Sequence, residues 1–224
     1  MEGETSKPNA AGSSDRKPVV VACSGPSLRE VDVWSPGYDV AAVSTAIICV
    51  PRPTWWILVD PPTHKHGAVG LAASQDATIP KIMPNPDTRT IVGRKRFPGM
   101  QLVTCYNKKK SRVLSRTYFD GKDPPVIRPV ARSTVFAVQW LVIFGEYTDL
   151  IFAGCDLVTR KRDPYAYSAK MADKIVSRQN ICHSKELAAL RAMAAILKPR
   201  GVRLWSWTET SPINSFMERF DGQV

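Results

Sequence analysis

Four groups of residues have the types and spacing to do chemistry. His183 is followed by Ser184 at the edge of a helical pattern, and an imidazole with a pKa of about 6.5 can accept a hydroxyl proton near neutral pH. Backbone amides at a helix start would keep that ring neutral, as a base must be; a histidine packed beside a helix cap has the same spacing. In "DPYAYSA", Tyr165 and Tyr167 lie among Arg160, Lys161, Arg162 and Lys170. Two phenols with cationic neighbours can donate to a departing phosphate, and an ordinary surface loop has the same composition. Asp60 ends "WWILVD" and Asp156 ends "FAGCD"; each can orient a ligand hydroxyl or brace a turn. The fourth group is Ser24-Gly25-Pro26-Ser27, small residues directly after an apolar run. A glycine there lets backbone approach a ligand, and amides at a helix start favour an anion. Without Gly-Lys-Ser/Thr or a full Gly-x-Gly-x-x-Gly pattern, a plain strand-to-helix turn is equally compatible. No D-x-D pair of the kind that holds a divalent ion is present. His64 and His66 lack further ligands nearby, so no metal is expected.

Strands alternating with helices must position these groups. Residues 19–22, 39–44, 55–59, 149–157 and 202–207 are short, apolar and rich in β-branched or aromatic residues, as buried strands are. Pro61 and Pro62 force the chain out of the sheet after Asp60. Ser27 can cap a short helix from Leu28. A helix opens at Ser133, a second covers 184–198 with Leu187, Leu190, Ala194 and Leu197 on one face, and Pro199 and Gly201 stop it. A last helix has Ser211 as N-cap, Pro212 at its first position, and Ile213, Phe216, Met217 and Phe220 along one side. Residues 78–129 hold prolines and basic residues with few apolar pieces, predicting a continued sheet mixed with long loops. The expectation is an α/β, Rossmann-like fold with a mostly parallel central sheet flanked by helices. In such sheets ligands bind beyond the carboxyl ends of the strands, which would gather Ser24, Asp60 and Asp156.

The chain has 224 residues and a net charge of +11. Residues 1–17 read as a disordered polar leader and 18–224 as a single domain. No run approaches the roughly 20 apolar residues of a membrane span. There is no secretory signal, and Cys23, Cys49 and Cys155 lie in or beside apolar stretches, so buried reduced thiols and a cytoplasmic setting are expected. Positive charge concentrates in 93–97, 107–116, 159–163 and 198–203, a pattern that attracts polyanions such as DNA or simply solubilises a surface. The tryptophans at 55, 56, 140, 205 and 207 fall in predicted elements, which favours core packing over base stacking. A homo-oligomer through the C-terminal apolar stripe is possible on this pattern.

The order "SGPSL", "WWILVD", "STVF", "DLIFAGCDL", "YAY", "CHSKELAALRAM", "RLWSWTETSPINSF" resembles the bacterial sialyltransferases of glycosyltransferase family 42, a variant of the GT-A fold. It also resembles related proteins with a "GPSL" loop, some phage-encoded. The resemblance implies a nucleotide-sugar donor and no metal cofactor, with His183 as general base and Tyr165 on the donor phosphate. It places the donor against Ser24, Gly25, Pro26, Ser27, Ser44, Ser133, Thr208, Thr210 and Ser211, to which the residues' own chemistry adds Asp60, Asp156 and Tyr167. Three departures stand out: serine replaces asparagine at Ser24 and at Ser44, and the family's second tyrosine falls near Val158. The leading expectation is an inverting, metal-independent glycosyltransferase whose acceptor is a glycan or, given the charge, modified or phage DNA. The alternatives are a non-catalytic nucleic-acid-binding or virion-associated protein on the same fold, and a diphosphokinase holding Mg²⁺ on Asp60 and Asp156.

Overall fold

The computed structural model describes residues 17–60, 67–85, 97–104, 132–160, 162–167 and 173–224. Residues 1–16 of the leader, the two histidines at 64 and 66, the basic runs at 93–96 and 107–116, Lys161 and Lys170 lie outside the described residues. Eight strands form one sheet: β1 (Pro18–Ala22), β2 (Asp39–Val43), β3 (Trp55–Ile57), β4 (Lys81–Asn85), β5 (Met100–Thr104), β6 (Asp149–Ala153), β7 (Arg203–Ser206) and β8 (Glu218–Arg219). Their spatial order is β5-β4-β3-β2-β1-β6-β7-β8, and every pairing is parallel. The chain winds outward from β1 to β5, returns to lay β6 against β1, and winds outward again. The boundary between β1 and β6 is therefore the topological switch point, where diverging loops leave a crevice.

Both faces of the sheet are covered, which is why residues 18–22, 40–43 and 150–153 read as unbroken apolar runs. Val19, Val21, Ala41, Val43, Leu150 and Phe152 point to the face covered by α2 (Ser133–Ile143) and α3 (Asp173–Leu197). Val20, Ala22, Val40, Ala42 and Trp56 point to the other face, against Leu28, Ala46, Ile47 and Ala73 from short 3-10 turns and from α1 (Gly67–Gln75). Helix α2 is buried from Thr134 to Leu141, the signature of a helix sandwiched rather than solvent-facing.

The structure departs from the sequence expectation at several elements. The strands expected over 55–59 and 149–157 end earlier, at Ile57 and Ala153. Helix α3 starts at Asp173 instead of 184; its first turns carry polar residues and solvent-exposed Ile175 and Ile181, so no one-sided stripe announces them. The expected last helix is a 3-10 turn, Pro212–Ser215, followed by β8. Ser211 does cap the turn, accepting from the Ile213 amide, but the edge of β7 then captures the backbone, with the Phe220 amide donating to the Ser206 carbonyl at 2.9 Å. Open ladder bonds outweigh helix propensity there. Ser27 is not the cap of the first turn: that turn is a 3-10 helix over Pro26–Glu30, Gly25 occupies the cap position, and no acid lies in the first turn. Helix α1 was not legible, being rich in Gly and Ala without an apolar stripe. Cys49 is exposed, contrary to expectation, while Cys23 and Cys155 are buried.

Candidate active site

The loops after β1, β2, β3 and β6, the start of α2 and the middle of α3 enclose a crevice of about 230 Å³ at the carboxyl ends of the strands. Ser24, Gly25, Ser44, Asp60, Ser133, Asp156, Tyr165 and His183 all line it. These are eight residues drawn from seven separate stretches of the chain, brought together at the switch point. Pro26, Ser27, Tyr167, Thr208, Thr210 and Ser211 are not among the lining residues. Thr208 and Ser211 are buried behind the crevice, Ser211 Oγ donating to the Cys155 carbonyl at 2.6 Å, and Thr210 is exposed.

The Ser24–Ser27 loop holds an anion, but the anion is the protein's own. The Ser27 amide donates to Asp156 Oδ2 at 2.9 Å, and the Ser27 hydroxyl donates to Oδ1. The Gly25 amide is taken by the Gly154 carbonyl at 2.8 Å. A Cβ on Gly25 would fall 2.2 Å from Asp156 Oδ2, so this glycine is required by the approach of the aspartate and not by a ligand. Asp156 thus braces the turn, and its two oxygens are engaged by Ser27, which leaves a poor pair with Asp60 for a magnesium ion. Among the described residues no cluster of three or more His, Cys, Asp or Glu forms a metal-type site.

The tyrosine loop is fastened to the same turn. The Ala166 amide donates to the Ser24 carbonyl at 2.8 Å. Arg29 donates from Nε to the Ala166 carbonyl at 2.7 Å and from Nη2 to the Tyr165 carbonyl at 2.6 Å, while its guanidinium pairs with Asp163 at 2.8 Å. The Tyr165 and Tyr167 rings stack with centroids 4.8 Å apart and planes 5° from parallel. Burial raises the Tyr165 phenol, and burial pushes Tyr167 up to about 12 despite its bond to Thr45. Both phenols therefore keep their protons at neutral pH and can act as donors. Val158, beside this loop, lines the crevice as an exposed apolar residue.

His183 does not precede a helix. It lies about three turns into α3, so helix-start amides cannot act on its ring, and that expectation is corrected. Instead Nε2 shares a hydrogen bond with Thr159 Oγ1 at 2.9 Å. Asn180, one turn earlier, clamps Thr159 by accepting from its amide at 2.7 Å and donating to its carbonyl at 3.2 Å. Glu186, one turn later, places Oε2 3.6 Å from His183 Nδ1. Arg132 and Ser133 close the rim at the start of α2. Sequence reasoning missed Arg29, Thr159, Asn180 and Glu186; His183-x-x-Glu186 is a one-turn helical spacing that an earlier start for α3 would have disclosed.

Two of the four non-glycine residues with positive φ among the described residues lie at this rim; the others, Arg52 and Glu146, precede β3 and β6. Ser44 has φ 53° and Leu157 φ 49°, a left-handed backbone that non-glycine residues adopt at a cost, and both line the crevice.

No protein-family model matches the sequence, and no curated protein matches it significantly. Solved structures do. The sialyltransferase CstII from Campylobacter jejuni, in complex with the substrate analogue cytidine-5'-monophosphate, is 14% identical over 94% of this chain and 87% of its own, with a TM-score of 0.50. The MAf glycosyltransferase from Magnetospirillum magneticum AMB-1 is 13% identical over 93% of this chain with a TM-score of 0.54, and this chain spans 34% of that protein. The fold is therefore glycosyltransferase-like and sialyltransferase-like, as the motif order implied. No helix among the described residues is long and apolar enough to cross a membrane.

Proposed function

We propose that the protein is an inverting glycosyltransferase that takes its sugar from a nucleotide-linked donor without a metal cofactor. The observation that carries this reading is that Ser24, Ser44, Tyr165 and His183 all line one crevice at the β1/β6 switch point. The donor lies across the Ser24 and Ser44 turns with its phosphate toward Tyr165. The acceptor hydroxyl takes the place that Thr159 Oγ1 now occupies at His183 Nε2. As the acceptor oxygen bonds to the anomeric carbon, its proton passes to Nε2. The bond from that carbon to the phosphate oxygen breaks with its electron pair, and the Tyr165 phenol donates to the departing phosphate. Asp156 serves this chemistry indirectly, by holding the Ser24–Ser27 turn.

The test is a thermal-shift screen against CMP, UMP, GMP and nucleotide-sugars. A ligand at a hundredfold excess over Kd stabilises by about 2.7 kcal/mol, roughly 5–10 °C for a domain of this size. His183→Ala should keep the fold and the nucleotide shift while losing turnover by about 10²–10⁴-fold. No shift with any nucleotide overturns the reading.

The net charge of +11 favours a second reading of the partner, in which DNA or another polyanion is acceptor, or is bound without catalysis. The crevice wall carries Asp60, Asp156 and Glu186 against Arg132, so a polyanion would rest outside it, near Arg160 and Arg162, and offer only a hydroxyl inward. Turnover on modified duplexes that falls steeply with salt supports this; indifference to ionic strength removes it.

A further inference from the structure

The Nδ1 face of His183 is the most unusual feature of the molecule. Nδ1 is buried without a hydrogen-bond partner, and a ring nitrogen removed from water in that state is costly. Opposite it stands Glu186, whose side chain is 7% exposed. Among the described residues His183 is its one ion-pair partner. The other group that feels Glu186 is the buried Cys155 thiol, raised first by its bond to Cys23 and by burial, and further by the Glu186 and Asp156 charges. A buried carboxylate beside a thiol destabilises the fold unless something of opposite polarity faces it. The separation of 3.6 Å is too long for a hydrogen bond, and a small rotation of either side chain on the same helix closes it.

We infer that Glu186 is the positioning residue of the base, accepting the Nδ1 proton of His183 so that the Nε2 lone pair faces the crevice. The inference rests on the proposed transfer reaction and extends it to a residue with no other assigned role. With Nδ1–H directed at Glu186, Nε2 must be the acceptor from the Thr159 hydroxyl at rest and from the acceptor hydroxyl in the reaction. When Nε2 takes the proton, Glu186 carries the compensating negative charge for the imidazolium. The carboxylate does not itself take the proton, and the imidazolium returns it to solvent after the nucleotide departs. The i,i+3 placement on one rigid helix keeps the pair aligned, and the Asn180 clamp on Thr159 sets the ring from the other side.

Two measurements decide this. The first needs no substrate: nitrogen-15 spectra of the imidazoles at pH 8 report which ring nitrogen bears hydrogen, and the His183 signal is identified by its loss in His183→Asn. Wild-type His183 should be the Nδ1–H tautomer, and Glu186→Ala should shift it to a mixture or to Nε2–H. Glu186→Gln keeps the volume and an acceptor oxygen but not the charge, and should retain the tautomer. An Nε2–H tautomer in the wild type, or a tautomer unmoved in Glu186→Ala, overturns the inference. The second is turnover of whichever nucleotide-sugar the screen identifies. Glu186→Ala should lower kcat by about 10²-fold with the donor KM little changed, and Glu186→Gln should fall between it and wild type. Unchanged kcat in Glu186→Ala while His183→Ala is dead defeats the positioning role and leaves the base; unchanged kcat in His183→Ala defeats the assignment of the base and this inference with it, while the absence of a shift with any nucleotide defeats the transferase reading.

Discussion

The two rims of the sheet treat buried polar groups in opposite ways. At the amino ends of the strands, among the described residues, every such group is matched. Asp149, wholly buried at the start of β6, accepts from Arg203 Nε at 2.6 Å and Trp205 Nε1 at 2.9 Å. Tyr147 Oη donates to Asp39 at 2.5 Å and accepts from Trp55 Nε1 at 2.9 Å. Lys81, also wholly buried, donates to the carbonyls of Asp76, Ile79 at 2.8 Å and Pro98 at 2.7 Å. At the carboxyl ends the accounts stay open. The buried side-chain atoms without partners among the described residues are His183 Nδ1, Thr208 Oγ1 and Asn214 Oδ1, all on that side. One rim closes the fold, and the other keeps valences free for a ligand. A protein gains stability by satisfying buried groups, so a concentration of unsatisfied ones marks where stability has been given up for function.

The largest effect that would sharpen this contrast is on the closed rim. Asp149→Ala strands Arg203 and the Trp205 indole and should cost about 3–5 kcal/mol, read as a lower urea midpoint. If it costs no more than a carboxyl-rim change such as His183→Ala, the contrast is broken. Asp156→Asn comes next. It weakens the grip on the Ser27 amide and hydroxyl, and should cost about 1–3 kcal/mol together with a loss of the nucleotide-induced thermal shift. A smaller effect of opposite sign is expected at Ser44. Asparagine tolerates left-handed backbone better than serine, so Ser44→Asn should raise stability by a few tenths to about 1 kcal/mol, seen as a higher midpoint in urea.

Alkaline titration supplies a prediction with a defined sign. Tyr147, Tyr165 and Tyr167 all have folded-state pKa values raised above the ordinary range, chiefly by burial. Their protonated forms stabilise the fold fully below about pH 10, and that contribution is lost as pH rises through the folded values, about 12 for Tyr167. Absorbance at 295 nm should show three of the six tyrosines ionising late, together with unfolding. The thiols give the smallest readout: exposed Cys49 should react with a thiol reagent in the native state, while Cys23 and Cys155 should wait for unfolding.

Much of the scaffold was legible because parallel strands buried on both faces must be largely apolar, and residues 19–22 and 150–153 are apolar throughout. The apolar runs and the helix start at Ser133 follow from local rules of burial and backbone sterics; the proline stop expected after Asp60 lies outside the described residues, and β3 already ends at Ile57. The expectation that Ser24, Asp60 and Asp156 lie at strand ends follows from the same rules. The first turns of α3 were hidden because they face solvent, and the C-terminal turn because its fate depends on β7, a partner the local pattern does not name. The sequence by itself determined which residues go inside and where the central strands run. Only the tertiary structure decided that Asp156 would occupy the amide of Ser27, that Glu186 would face His183, and that Arg29 would tie down the tyrosine loop. Those are contacts between distant stretches, and hydrogen-bond geometry at ångström scale is set by how the sheet orders its strands, information that periodicity along the chain does not carry.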